Sequence, residues 1–226
     1  VTNDTTSPIY TYFLTFDTET FTLQPNQNLA YELPFGIAVA IFLLLSAAAH
    51  LALSTFAYSW YVKVLKKGTN PARFYEYALS SSWMIVLISL LIGFQDLGGL
   101  ILIFGLNATM NLFGIMMELH NQTTERTDWT AFIYGCIAGI IPWIVIVMYF
   151  LGSLASGDAE PPAFVYAIIP TIFVFFNIFA INMLLQYKKV GRWKNYLFGE
   201  RIYIVLSLTA KTVLAWLIFA GTLAPV

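Results

Sequence analysis

The chain has few charged residues and a single cysteine, and the shortage of charge excludes a water-soluble domain. Only 10% of its 226 residues are charged, 59% are hydrophobic, and the mean hydropathy is +0.74. A water-soluble domain could not bury that much apolar surface on folding. The single cysteine, Cys136, cannot form an internal disulfide. The net charge of −1 speaks against a nucleic-acid partner. The composition therefore indicates a membrane protein.

Apolar runs long enough to cross about 30 Å of hydrocarbon recur along the chain. They cover residues 35–60, 75–94, 98–118, 130–152, 162–187 and 198–223. Pro34 and the pair Asn70-Pro71 stand where the first two helices are expected to begin, since proline fits the first turn of a helix and asparagine caps it. The sequence predicts an all-α membrane protein with six spanning helices in residues 34–226.

Residues 1–33 form the one sizeable segment outside these runs. The stretches Ile9–Phe16 and Phe21–Tyr31 are rich in Tyr, Phe, Thr and Leu, and Asp17–Thr20 separates them. This pattern predicts a β-hairpin. Pro25 lies inside the second stretch, so we expect the start of that strand to be irregular.

The basic residues predict the orientation, because Lys and Arg collect in cytoplasmic loops. Ten of the eleven lie in three alternate loops: Lys63, Lys66, Lys67, Arg73, Arg126, Lys188, Lys189, Arg192, Lys194 and Arg201. Acidic residues predominate in the other connections: Asp4, Asp17, Glu19, Glu32, Asp96, Asp158 and Glu160. We therefore expect residues 1–33 and the C-terminus to be extracellular and the three basic loops to be cytoplasmic.

The eleventh basic residue, Lys211, lies in the middle of the last apolar run, and Glu76 is the one carboxylate that we place inside a spanning helix. A charge near the bilayer centre costs about 2.5–3.5 kcal/mol on the insertion scale. A desolvated lysine forms a Schiff base with aldehydes, and the protonated Schiff base needs a nearby carboxylate. Glu76 is the candidate counterion. The alternatives are a structural ion pair and a lysine that extends to the membrane surface.

Hydroxyl groups flank both members of this pair. Ser207 precedes Lys211 by one helical turn, and Ser80 and Ser81 follow Glu76 by one turn. They are candidates to hydrogen-bond the pair. The alternative is that they join neighbouring helices, as serine commonly does in membranes.

Five segments resemble the heliorhodopsins, a family of light-sensing rhodopsins. SLTAKTVLAW around Lys211 is similar to their retinal-lysine segment, and RFYEYALSSS around Glu76 is similar to their counterion segment. The other three are IFGLNATM (103–110), GCIAGIIPW (135–143) and NYLFGER (195–201). The resemblance extends over nearly all of residues 34–226.

The resemblance implies all-trans-retinal bound covalently to Lys211, with Glu76 as its sole counterion and Ser81 and Ser207 close by. It also implies a seven-helix bundle with an extracellular C-terminus, which agrees with the orientation that the basic residues predict. The six runs correspond to helices B to G, and residues 1–33 resemble the extracellular A–B loop. We therefore expect helix A to be absent from this sequence rather than from the protein.

The family pattern also points to a retinal pocket and to a cavity on the cytoplasmic side. The implied pocket residues are Tyr77, Met110, Gly114, Trp143 and Phe176. The implied cavity residues are His50, Arg73, Asn107 and Glu200. Each pocket residue could instead simply pack between helices. His50 could be a neutral histidine whose hydrogen bonds are made by a neighbouring helix.

The leading functional hypothesis is a photoreceptor with a slow photocycle that signals to a cytoplasmic partner and is not an enzyme. We expect retinal, membrane lipid and a second copy of the chain as its other partners, and no metal. Two alternatives stay open: a light-driven ion pump, and a light-independent transporter in which Glu76 and Lys211 form a gate.

Overall fold

The computed structural model describes residues 5–156 and 163–223. Of the acidic residues expected outside the membrane, Asp4, Asp158 and Glu160 lie outside these ranges. The described chain begins with a two-stranded antiparallel sheet and continues into helices.

The predicted β-hairpin is confirmed, with longer strands than expected. Strand β1 covers Thr6–Asp17 and strand β2 covers Thr22–Pro34. The prediction that β2 starts irregularly at Pro25 was wrong. Pro25 pairs with Leu14, and the register shift falls between Ile9 and Tyr10. A two-stranded sheet has only edge strands, and an edge strand tolerates a proline that cannot donate to the ladder.

The hairpin turn is stabilised by the side chain of Asp17. Its carboxylate accepts hydrogen bonds from the Glu19 amide at 2.9 Å and from the Thr20 hydroxyl at 2.8 Å. These bonds hold the pKa of Asp17 below its usual value. At the other end of β1, the Tyr10 amide donates to the Gln95 carbonyl at 2.9 Å. The hairpin is thereby attached to the turn between the second and third spanning helices.

Six helices in the described chain are long and apolar enough to cross a membrane. They are α1 (Phe35–Ser54), α3 (Pro71–Leu91), α4 (Leu97–His120), α5 (Thr130–Ser156), α6 (Ala163–Tyr187) and α7 (Tyr196–Leu223). A short helix α2 (Tyr58–Lys66) and a 3-10 turn (Gly191–Lys194) lie in the connections. The prediction of six spanning helices is confirmed.

The first predicted span, 35–60, was wrong at its C-terminal end. Helix α1 stops at Ser54, and α2 begins only at Tyr58. The hydroxyls of Ser54 and Thr55 both donate to the Leu51 carbonyl, at 3.0 and 2.6 Å. Such local bonds compete with the helical backbone ladder. Hydropathy alone does not detect this break.

Helix α3 begins at the predicted cap, four residues before its apolar run. The Asn70 side chain accepts a hydrogen bond from the Arg73 amide at 3.2 Å, and Pro71 occupies the first turn. The capping pair sets the start of the helix independently of hydropathy. As a result, Arg73 belongs to α3 and not to a loop.

Helix α3 lies at the centre of the bundle and is the most buried of the six. It packs against α1 and α4, while α4 packs against α5 and α6 against α7. Because successive spans alternate in direction, the hairpin, the α3–α4 turn and the end of α7 lie at one end, called here the hairpin end. Helix α2 and the α4–α5 and α6–α7 connections lie at the other, called the basic end.

Candidate functional site

Lys211 is buried in the interior of the bundle, where it contacts two other helices. Its Nζ donates to Glu76 Oε1 on α3 at 2.7 Å and to Ser207 Oγ, one turn earlier on α7, at 2.9 Å. It also donates to Ser46 Oγ on α1. The ion pair between Lys211 and Glu76 was anticipated from their isolation among apolar residues. The structure brings the two groups into direct contact.

Ser46 completes this cluster, and the sequence analysis missed it. Its hydroxyl accepts from Lys211 and donates to Glu76 Oε1 at 2.5 Å, so it bridges the cation and the anion. A usable signal was present, because Ser46, His50 and Ser54 are the polar residues of α1 and recur every four positions. That spacing places them on one face of the helix.

The ring of Tyr77 lies beside the ion pair. Its centroid is 5.3 Å from Lys211 Nζ, within range of a cation–π contact. The Tyr77 hydroxyl donates to the Tyr203 carbonyl at 3.0 Å, which joins α3 to α7 next to the site.

Ser81 lies close to Lys211, since both line one cavity, but its hydrogen bonds to side chains join α3 to α4. Ser81 donates to the Tyr77 carbonyl at 2.6 Å and accepts from Asn107 and Asn111 at 2.8 and 3.1 Å, and it makes no hydrogen bond to Lys211. Asn107, expected in a cavity at the cytoplasmic side, instead joins the middle of α4 to α3 through Ser81 and Ser82. Its mid-helix position leaves the α3 hydroxyls as the partners within reach of its amide.

Lys211 lines a cavity of about 430 Å³. The cavity is lined by Tyr77, Ser80, Ser81, Met84, Met110, Asn111, Phe176, Phe179, Ser207, Ala210 and Lys211. Three of the expected pocket residues, Tyr77, Met110 and Phe176, are among these. Gly114 lines an adjoining cavity of about 590 Å³ that shares the same three side chains. Trp143 lines neither cavity.

Trp143 instead supports the cavity wall from behind. It is buried and packs edge-on against Phe173 and Phe176, with ring centroids 5.1 and 5.5 Å apart. The cavity has the kind of lining that small-molecule sites share, apolar and aromatic side chains with a few polar groups. A buried primary amine, that of Lys211, is part of this lining. These residues fit a long apolar aldehyde such as retinal.

A third cavity, of about 380 Å³, lies between Glu76 and the basic end. His50, Arg73, Glu76 and Glu200 all line it, so the structure brings together three of the four residues expected in a cytoplasmic-side cavity. His50 is exposed in the described chain, and its ring makes no hydrogen bond to another described residue.

Arg73, which was predicted to lie in a loop, forms a buried cluster with Glu118 and Glu200. Its guanidinium lies 2.5 Å from Glu118 Oε1 and 3.4 Å from Glu200 Oε1, and it stacks 3.6 Å over the Tyr203 ring. The Asn70 amide and side chain donate to these two carboxylates, each at 2.7 Å. The expectation that Glu76 is the one carboxylate inside a spanning helix was therefore wrong, because Glu118 lies in α4 and Glu200 in α7, and both are buried beside the cap of α3.

Comparison with known sequences agrees with this geometry. A sequence model of the heliorhodopsin family matches residues 1–223, which covers the hairpin as well as the helices. No curated protein matches the chain. The chain is a member of the heliorhodopsin family of retinal-binding, light-responsive membrane proteins.

Proposed function

We propose that this protein is a photoreceptor in which all-trans-retinal is bound to Lys211 as a protonated Schiff base and that it signals rather than pumps ions. The observation that carries the proposal is the contact of Lys211 Nζ with Glu76 at 2.7 Å beside an apolar cavity. When bound there, retinal supplies the absorption of visible light and a change of shape on isomerisation.

Each residue around Lys211 has a role in the proposed retinal-bound protein. The Glu76 carboxylate balances the positive charge on the Lys211 nitrogen and accepts the one N–H that a protonated Schiff base keeps, while Ser46 donates to that carboxylate and Ser207 lies beside the nitrogen. Tyr77 and Phe176 form apolar walls that exclude water from the cavity. In this assignment α1 and α3–α7 take the places of helices B to G.

The distribution of titratable groups favours a sensor over a pump. A pump needs such groups on both sides of the site, so that a proton leaves one way and is replaced from the other. On the basic side, Glu76, His50 and Glu200 line one cavity. Between Lys211 and the hairpin end, the described parts of the helices carry no Asp, Glu or His. A proton that leaves toward Glu76 therefore returns most easily by the same route.

The orientation and the partners belong to the same proposal. The basic end faces the cytoplasm, where the loops around Lys67 and Lys188 meet a signalling partner, and the hairpin end is extracellular. A second copy of the chain completes a homodimer, and the photocycle is slow.

The experiment that tests signalling against pumping measures pH in a suspension of vesicles that contain the protein. Under steady light we expect no sustained pH change, with or without a protonophore. A steady change that the protonophore abolishes and that is absent in Lys211→Ala would assign the protein to light-driven transport.

A further inference from the structure

Helix α2 (Tyr58–Lys66) lies on the surface of the bundle at its basic end, and none of its residues is buried. It connects the end of α1 to the start of α3, two spans that pack against each other and run in opposite directions. Thr55, between α1 and α2, has φ −119° and ψ −104°, which is not helical, so α2 does not extend α1. Helix α2 therefore lies at the level where α1 leaves the hydrocarbon.

One side of α2 packs on the bundle, and this contact determines which side points outward. Tyr61 and Leu65 are half-buried, and Tyr61 lines the third cavity. Trp60, Lys63 and Lys66 are exposed. Residues three apart in a helix are neighbours on its surface, with about 5–6 Å between their Cβ atoms. These three side chains therefore form one stripe on the outward face of α2.

Aromatic side chains are exposed on this helix and just before it. Phe56 is 86% exposed, the largest fraction among the large hydrophobic side chains of the described residues, and Tyr58 and Trp60 are 57% and 46% exposed. Trp and Tyr collect where a membrane meets water, because their rings are apolar and their N–H and O–H groups are polar. The place of α2 directly after a span puts these rings at that interface.

The charges on this segment favour an anionic partner. Residues 35–75 contain no Asp or Glu, and neither Lys63 nor Lys66 forms an ion pair with another described residue. A lysine at a membrane surface lays its apolar stem along the hydrocarbon and extends its ammonium group to the headgroups. Lysines beside an aromatic ring at this depth are typical of helices that bind anionic lipid.

We propose that the outward face of α2 binds the headgroups of anionic phospholipids in the leaflet at the basic end. Lys63 and Lys66 pair with the lipid phosphates, Trp60 lies among the headgroups, and Phe56 enters the hydrocarbon. This lipid site goes beyond the proposed light-sensing function, because none of these side chains lines the two adjoining cavities around Lys211.

The test measures quenching of tryptophan fluorescence by brominated lipid in vesicles that contain the purified full chain. Every vesicle has the same mixture of phosphatidylcholine and phosphatidylglycerol, and only the brominated species differs, so the surface charge is constant. The signal of Trp60 is the difference between the wild type and Trp60→Phe. We expect phosphatidylglycerol to be enriched about 5-fold around Trp60 over its share of the mixture, the worth of one lysine near an anionic surface.

Matched pairs of lysine variants separate this face from basic charge in general. The double variant Lys63→Gln, Lys66→Gln should lose the enrichment while both lipids still quench Trp60. The double variant Lys188→Gln, Lys189→Gln, in the α6–α7 connection, should keep it. Quenching of wild-type Trp60 by the two lipids in proportion to their shares would overturn the proposal. No quenching by either lipid, as expected if protein covers the face, would also overturn it, and so would equal effects of the two double variants.

Discussion

The described part of the chain holds two buried charge clusters, which differ in the chemistry of their cation. At Lys211 one amine meets one carboxylate and two hydroxyls at the edge of an apolar cavity. At Arg73 one guanidinium meets two carboxylates and an aromatic ring. A buried lysine can lose its proton and react with an aldehyde, whereas arginine stays charged. The Lys211 cluster is therefore suited to reaction with an aldehyde, and the Arg73 cluster to holding α3, α4 and α7 together.

The largest expected effect of a substitution on folding is at Arg73. Arg73→Ala leaves Glu118 and Glu200 buried without their cation, and removal of one partner from a buried ion pair costs about 3–5 kcal/mol. The change should sharply lower the thermal unfolding temperature of the purified protein. Arg73→Lys, which keeps the charge, should unfold at a temperature between those of Arg73→Ala and the wild type. If Arg73→Ala unfolded like the wild type, the cluster would have no structural role.

Loss of the carboxylate from the other cluster should change colour more than stability. In Glu76→Gln we expect the absorption maximum of the retinal-bound protein to move to the red, or the Schiff base to lose its proton near neutral pH, because the cation has lost its counterion. Absorption spectra over a pH series measure both effects. Glu125→Gln, in an exposed loop, is the control. If the spectrum and the titration of Glu76→Gln were unchanged, the counterion would be a residue other than Glu76, and Glu200 would be the next candidate.

The smallest changes in stability and absorption are expected when the bridging hydroxyl of Ser46 is removed. Ser46→Ala removes the group between Lys211 and Glu76, and we expect about 1 kcal/mol of lost stability with a red shift smaller than that of Glu76→Gln. Thermal unfolding and absorption spectra check these two expectations. Ser89→Ala removes a buried hydroxyl that bonds only to its own helix, and its spectrum should match the wild type. Identical spectra for both serine variants would argue against a bridging role.

The sequence predicted features that depend on local composition or on a charged residue that stands alone among apolar ones. Hydropathy located six spans, two stretches rich in Tyr, Phe, Thr and Leu located the hairpin, and Lys211 stood out because no other lysine lies among apolar residues. The same reasoning missed the Arg73 cluster. Its members lie near helix ends, where a charge usually reaches water, and only the fold shows that Asn70 and Tyr203 enclose them.

Contacts between helices were the hardest features to predict. Ser46 lies 165 positions from Lys211 in the sequence, and nothing local to either residue joins them. Ser81 shares a helix with Glu76, yet its hydroxyl bonds to its own backbone and accepts from the α4 amides. Helical spacing predicts which residues share a face, but the partner on another helix depends on packing.

The most direct test of the account is the visible absorption of Lys211→Ala after expression with retinal. Lys188→Ala, which changes a loop lysine at the basic end, is the matched control. We predict that Lys211→Ala remains folded but has no visible band, while Lys188→Ala keeps the wild-type band. A visible band of normal strength in Lys211→Ala would contradict attachment at Lys211.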